Sequence, residues 1–233
     1  ITTHLSLSGR RARGDDETAI MKQVLRRGFL IILFGWGLAS FPWWPLDRIA
    51  NVRLVGVLVR IGLAYIGAYF LTRRGSLKAQ VLTLVALLYG YWFAMTLLPV
   101  PGQVGIGANL LDDPSRSIAA WLDRLLLDGH LWRTSRTWDP EGLLSTVPAI
   151  GTAMCGVFAG RWIGSGRPLA ERLNGLFAAG AIAMMLGLMW HWSFPINKSL
   201  WTSSYVLFTG GLAAVSIATI MWITDVHRVT KWT

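Results

Sequence analysis

The chain is 233 residues long, 53% hydrophobic and only 15% charged, with thirteen tryptophans and a mean hydropathy of +0.47, which is too apolar for a water-soluble domain of this size. Its formal net charge of +10 would suit a nucleic-acid binder, but the basic residues fall in short clusters between apolar runs and form no basic arm or nucleic-acid motif. A single cysteine, Cys155, inside an apolar run, excludes an internal disulfide, leaves no basis for a cysteine zinc site and reads as a small packing residue.

The sequence opens on Ile1 without a signal-peptide pattern and stops at Thr233, which reads as an internal piece of a larger protein. Residues 10–27 are polar and basic around Asp15, Asp16 and Glu17. The first apolar span covers 28–44, closed by Pro42 and Pro45, with Trp36, Trp43 and Trp44 near its end as an interfacial aromatic belt. The second covers 53–71. The third covers 79–98 and ends at Pro99-Val100-Pro101-Gly102, which cannot continue a helix.

Residues 99–141 form the one long connection. Within it Asp113-Pro114 marks a helix start, and Ile118, Leu122, Leu125 and Leu126 recur at helical spacing with Asp123 and Asp128 elsewhere. That pattern predicts an amphipathic helix, lying on the membrane surface or over the mouth of the bundle, or packed as an ordinary loop helix. Three more spans follow, 142–163, 175–192 and 202–223. Gly156, Gly160 and Gly164 in one, and Gly175, Ala179, Ala183 and Gly187 in the next, form stripes of small residues that predict close helix packing inside a bundle. The fold expected is all-α, a polytopic membrane helix bundle forming one transmembrane domain of about six spans.

Charge sets the orientation. Segments 10–27, 73–78, 161–172 and 225–233 together hold fourteen of the 22 Lys and Arg, against seven on the opposite side and Arg60 within a span. The positive-inside rule therefore makes 10–27, 73–78, 164–174 and 225–233 cytoplasmic and turns the loop 99–141 and the turn 193–200 outward.

Two polar motifs then share the outward face. In Trp138-Asp139-Pro140-Glu141-Gly142 the carboxylates have two readings: helix-capping chemistry, with Asp139 as N-cap, Pro140 at the first position and Glu141 in the first turn, or a polar site at the membrane face. Residues two apart on a helix do not share a face, so one carboxylate is expected to point into a site. Across from them lie Asn197, an amide able to donate hydrogen bonds at the same mouth, and Lys198, which would bind an acidic group or lie solvated at the interface. Arg60 is an ionisable residue inside a span, hence paired, snorkelling or functional. His191 and His227 read as interfacial residues. There is no P-loop, no His-x4-Asp of soluble acyltransferases and no metal-ligand spacing.

Taken in order, Val52-Arg53 with Gly56-Val57-Leu58-Val59-Arg60, Leu98-Pro99-Val100-Pro101-Gly102, Trp121-Leu122-Asp123-Arg124-Leu125-Leu126-Leu127 with His130-Leu131, Trp138 to Gly142, and Pro195-Ile196-Asn197-Lys198-Ser199-Leu200-Trp201 with Ser204-Tyr205 run through nearly the whole chain. The set resembles the heparan-alpha-glucosaminide N-acetyltransferase family. The resemblance implies an integral enzyme of a bacterial inner membrane that moves an acetyl group from cytoplasmic acetyl-CoA, as co-substrate and without a metal, to an amino sugar or glycan on the other side. Its partners are then the lipid bilayer and those substrates, not nucleic acid, and a homodimer is compatible with it. It implies a catalytic histidine upstream of Ile1, a role that His4 does not inherit; of the other histidines only His130 keeps a match on the outward side. The substrate-binding residues expected are Asp139, Glu141, Asn197, Lys198 and Trp201, with Arg60 on the cofactor. A permease for a polar solute is the competing reading, though no repeated halves are visible.

Overall fold

The computed structural model describes residues 8–11, 13–42 and 51–228. Trp43, Trp44, Pro45, His4 and the chain's last five residues lie outside that set. Apart from one isolated bridge between Pro99 and Ile106, the regular elements among the described residues are helices.

Helix α1, Glu17–Ala39, starts eleven residues before the first expected span. Asp16 caps it by accepting the Thr18 N–H at 3.1 Å, and Ile20, Val24, Gly28 and Ile32 are buried at a spacing of one turn. Segment 17–27 is therefore the basic first half of an amphipathic helix, with its Lys and Arg on the other faces. Helices α2 (Val57–Thr72) and α3 (Leu77–Leu97) follow the expected spans closely, and Ser76 caps α3 at the Ala79 N–H.

In the long loop Asp113-Pro114 opens only a 3-10 turn, Pro114–Arg116, and helix α4, Ile118–Leu127, begins after it with Ser117 as cap. The buried face of α4 is Ala119, Ala120, Asp123 and Leu127. Leu125 and Leu126, expected on the packed side, are exposed, while Asp123, expected on the polar side, is buried. The helix turns this way because Ala119 fits against Tyr91, Met95, Phe194 and Leu200 at one end of the bundle.

Helix α5 is Thr146–Ile163, α6 is Leu169–His191, and α7 is Ser203–Met221, running on as a π-turn, Trp222–Val226. Among the described residues three helices are long and apolar enough to cross a membrane, Leu77–Leu97, Leu169–His191 and Ser203–Val226; Val57–Thr72 is apolar but shorter. Phe34, Leu38, Val57, Leu82, Met185 and Met189 are exposed along their helices, which suits a lipid surround.

The two small-residue stripes divide between packing and lining: Gly160 is on the buried face of α5, and Gly187 packs on α7, where a Cβ would lie 2.7 Å from the Phe208 N. The buried face of α5 is Gly151, Met154, Val157 and Gly160, and that of α6 is Leu173, Leu176, Gly180 and Gly187. Gly156, Gly175, Ala179 and Ala183 instead line an elongated apolar groove of about 820 Å³ between α3, α5, α6 and α7. Their small size leaves room for it, although a Cβ at Gly175 would already meet the Trp162 ring at 2.4 Å. Cys155 lines it too.

The ends of the bundle differ. At one, the Arg161 guanidinium donates to the Thr72 carbonyl at 2.6 Å and to Gln80, whose amide in turn bonds the Thr72, Arg74 and Gly75 carbonyls. This joins α2, α3 and α5 where the basic segments 73–78 and 161–172 meet. The opposite end carries the site.

Candidate functional site

The motif 138–142 precedes α5 rather than starting it. Residues 140–145 form turns, the helix begins at Thr146, and its N-cap Ser145 makes no side-chain cap bond. Asp139 does accept the Glu141 N–H at 2.9 Å, so it closes a local turn; it does not cap a helix. Most of its hydrogen-bonding capacity goes elsewhere.

Arg53 reaches Asp139 with two parallel bonds, Nε to Oδ2 at 2.7 Å and Nη2 to Oδ1 at 2.5 Å, and the same Nη2 also donates to Glu141 Oε2. This fork is the geometry a guanidinium makes best with a carboxylate. Because 138–142 is not helical, both carboxylates meet one cation, against the expectation that only one would point inward. The Asp139 side chain is 0% exposed and that of Glu141 18%, so a substrate can reach Glu141 only.

Arg53 is held from both sides by His130. The His130 ring Nδ1 lies 2.8 Å from the Val52 carbonyl, and its own carbonyl accepts the Leu54 N–H at 3.2 Å. Trp36 of α1 donates its indole N–H to the Leu54 carbonyl at 2.9 Å. On the other flank Asp123 accepts the Leu143 N–H at 2.9 Å. Burial pushes the Asp123 carboxyl up to about 6, against the pull of that bond. Gly142 permits the contact, since a Cβ there would sit 2.0 Å from Asp123 Oδ2.

Arg60, one turn into α2, is 4% exposed. Its Nη2 donates to the Pro140 carbonyl and to Ser145 Oγ, and its Cζ lies 4.8 Å from the centre of the Trp201 ring. Arg60 thus stands among the motifs expected to face outward. Thr72, beside Arg161, is twelve residues further along α2, about 18 Å at the helical rise.

Trp201 connects the second motif to the first. Its indole N–H donates to Thr152 Oγ1 on α5 at 3.1 Å, Tyr205 packs on it edge-on at 5.3 Å, and its backbone has φ +51°, a region bulky residues rarely enter. The turn leading to it is fixed: Tyr91 Oη donates to the Leu200 carbonyl at 2.5 Å, Ser204 Oγ to the Phe194 carbonyl at 2.6 Å and Thr202 Oγ1 to the Pro195 carbonyl at 2.9 Å. Asn197 belongs to this scaffold. Its side-chain oxygen accepts the Ser199 and Leu200 N–H groups at 2.8 and 3.2 Å, which engages it within its own turn. Lys198 is exposed. The structure therefore gathers Asp139 and Glu141 on Arg53, sets Arg60 against the Pro140 carbonyl and the Trp201 ring, ties Asn197 into its own turn and leaves Lys198 exposed.

Sequence reasoning took Arg53 for an orientation charge and gave Ser145 and Asp123 no part. The available signal was Arg53 itself, a cation at the edge of an apolar span inside a matching motif. Among the described residues no three His, Cys, Asp or Glu side chains are grouped to hold a metal ion.

No family model matches this sequence. The chain is similar to heparan-alpha-glucosaminide N-acetyltransferase. The human enzyme of that name is 27% identical over 277 aligned positions, covering 98% of this chain and 41% of the relative. The mouse enzyme is 28% identical over 278 positions, covering 98% and 42%. The chain therefore spans about two-fifths of the length of these curated relatives. The similarity bears out the resemblance drawn from the motifs and runs through both ends of the bundle.

Proposed function

We propose that this chain forms the catalytic bundle of a membrane acetyltransferase, taking acetyl from acetyl-CoA at the basic, cytoplasmic end and transferring it to an amino sugar or glycan at the end that carries Asp139 and Glu141. In this reading α1, α2, α3, α5, α6 and α7 all cross the bilayer and α4 lies over the outer mouth, its exposed Leu125 and Leu126 toward the headgroups.

One observation carries the reading. The apolar groove runs from Trp162 and Arg161 to Trp201 and Tyr205, so it links the end expected to face acetyl-CoA with the end expected to face the acceptor. A slender, mostly apolar acyl-bearing arm fits such a groove, while the diphosphate would stay outside it among Arg73, Arg74 and Lys78. That leaves Arg60, first considered for the phosphates, at the acyl end.

The acceptor amine is an ammonium in water and must lose a proton before it attacks. Glu141, the reachable carboxylate, holds that ammonium in place of its contact with Arg53, while Asp139 keeps Arg53 from following. The resemblance assigns the central base to a histidine upstream of Ile1. Lys198, exposed at the rim, is left for an acidic group on the glycan.

The test is transfer of labelled acetyl from acetyl-CoA to glucosamine by the full-length purified protein in detergent. Formation of N-acetylglucosamine, lost in Glu141→Gln, is the expected result. Absence of any transfer, with solute counterflow in proteoliposomes that needs no thioester, would replace it with the permease reading.

A further inference from the structure

Arg60 is a buried cation with unused donors. Its Nη2 is engaged, but Nε and Nη1, carrying three N–H bonds between them, meet no acceptor. Buried polar groups are nearly always hydrogen-bonded, and a guanidinium left short of acceptors in a buried site calls for a partner that comes and goes.

The charges nearby decide which partner. Arg53 pairs with Asp139 and Glu141, and Arg60 stands at the Pro140 carbonyl between them, so two cations stand with two carboxylates, and Asp123 adds negative charge whenever it is ionised. What Arg60 lacks is therefore an acceptor atom, not a counter-charge. An anionic ligand would meet the carboxylates in a poorly solvated site. A carbonyl oxygen, neutral on arrival and negative only in the transition state, meets no such penalty.

Such a carbonyl can come from the groove. Trp201 and Thr152 both line the groove, the Trp201 ring is tied to Thr152 by its N–H, and the guanidinium lies against the ring. Trp201 is thus a partition between the groove and the free donors, held at a backbone angle that stores strain.

We propose that Arg60 is the oxyanion-stabilising catalytic residue for the acyl carbonyl, reached from the groove when Trp201 swings off the guanidinium. This rests on the acetyltransferase reading. The deprotonated amine bonds to the carbonyl carbon, and the π pair moves onto the oxygen, which accepts hydrogen bonds from Arg60 Nε–H or Nη1–H. The nitrogen gives its extra proton to the site's base, the C–S bond breaks with its pair going to sulfur, and the thiolate takes up a proton. The products are an amide and a free thiol.

The experiment measures two rates on the purified full-length protein: acetyl transfer to glucosamine and acceptor-free hydrolysis of acetyl-CoA. Arg60→Met is expected to lower kcat about 10²-fold or more in both, since both pass through the same oxyanion. KM for acetyl-CoA should move by less than about threefold. Arg60→Lys, which keeps charge and a donor, should retain part of the rate and serves if Arg60→Met does not fold. Trp201→Phe, which loses the tether to Thr152, should raise acceptor-free hydrolysis relative to transfer. A change in KM alone, or a fall in transfer with hydrolysis intact, overturns the assignment. If the unsubstituted protein transfers acetyl and both Arg60 variants keep kcat within about threefold, only this inference fails. If it neither binds nor turns over acetyl-CoA, the function and the inference fall together.

Discussion

Asp139 has no exposed side-chain surface and gives both carboxylate oxygens to one residue, Arg53, 86 positions earlier in the chain. The pair ties the loop before α5 to the segment before α2, and Glu141 shares the same guanidinium nitrogen. Removing Arg53 would leave a buried carboxylate without its cation. Arg53→Met is therefore expected to destabilise the protein by about 3–5 kcal/mol, and Arg53→Lys by less, because an ammonium keeps the charge without the fork. Thermal unfolding in detergent, followed by circular dichroism, reads this. The double variant with Asp139→Asn should recover part of the loss, and strictly additive losses would show that the two residues do not act as a pair.

Gly142 is where this loop passes Asp123. A Cβ there would also lie 2.7 Å from Asp123 Cγ, and Asp123 cannot retreat because it is buried and holds the Leu143 N–H. Gly142→Ala should cost about 1–3 kcal/mol by overpacking and displace Glu141, lowering transfer more than the stability change alone would. Unchanged melting and unchanged transfer would show that the loop passes Asp123 at a greater distance.

Asp123 also gives a pH dependence whose sign can be worked out. Its carboxyl is raised from 3.8 to about 6, so between those values the folded protein binds more protons than the unfolded chain. Stability from this group is then present at low pH and lost as pH rises through 6. Asp123→Asn, which cannot ionise, should lack this slope. The melting temperature of the variant minus that of the unsubstituted protein should therefore rise between pH 4 and 6 and level off above, whatever its constant offset. A flat difference would mean that Asp123 titrates at its ordinary value.

How far these features were legible in the sequence depends on the range of the interaction. Apolar runs and proline stops mark α2, α3 and α7 within a few residues, because lipid-facing helices are apolar along their length. Local capping misled at Asp139, where a partner 86 residues away outweighs the helix start that Asp139-Pro140-Glu141 favours. Period alone also misjudged α4, since Ala119 packs among Tyr91, Met95, Phe194 and Leu200 more closely than a larger leucine can. The approach of Arg60 to Trp201 joins residues 141 positions apart in sequence, and no local pattern signals it. The family motifs named both neighbourhoods without showing that they touch.

Glycines along the groove differ in what a side chain would meet, as the adjacent Gly210 and Gly211 of α7, which both line it, can test. A Cβ on Gly211 would lie 2.5 Å from the Gly180 carbonyl oxygen and 2.7 Å from the Met184 N, both backbone atoms of α6. On the neighbouring Gly210, which lines the groove, the nearest atom would be Cys155 Cβ at 4.0 Å. Backbone cannot yield as a flexible side chain does, so Gly211→Ala must push α6 and α7 apart, at about 1–3 kcal/mol. Gly210→Ala meets ordinary contact distance and replaces a poor helix former by the best one, so it should leave melting unchanged or slightly raised. It also narrows the groove by one methyl, and should weaken acetyl-CoA binding without loss of stability. Equal effects of the two substitutions on melting would show that α6 and α7 do not meet at Gly211.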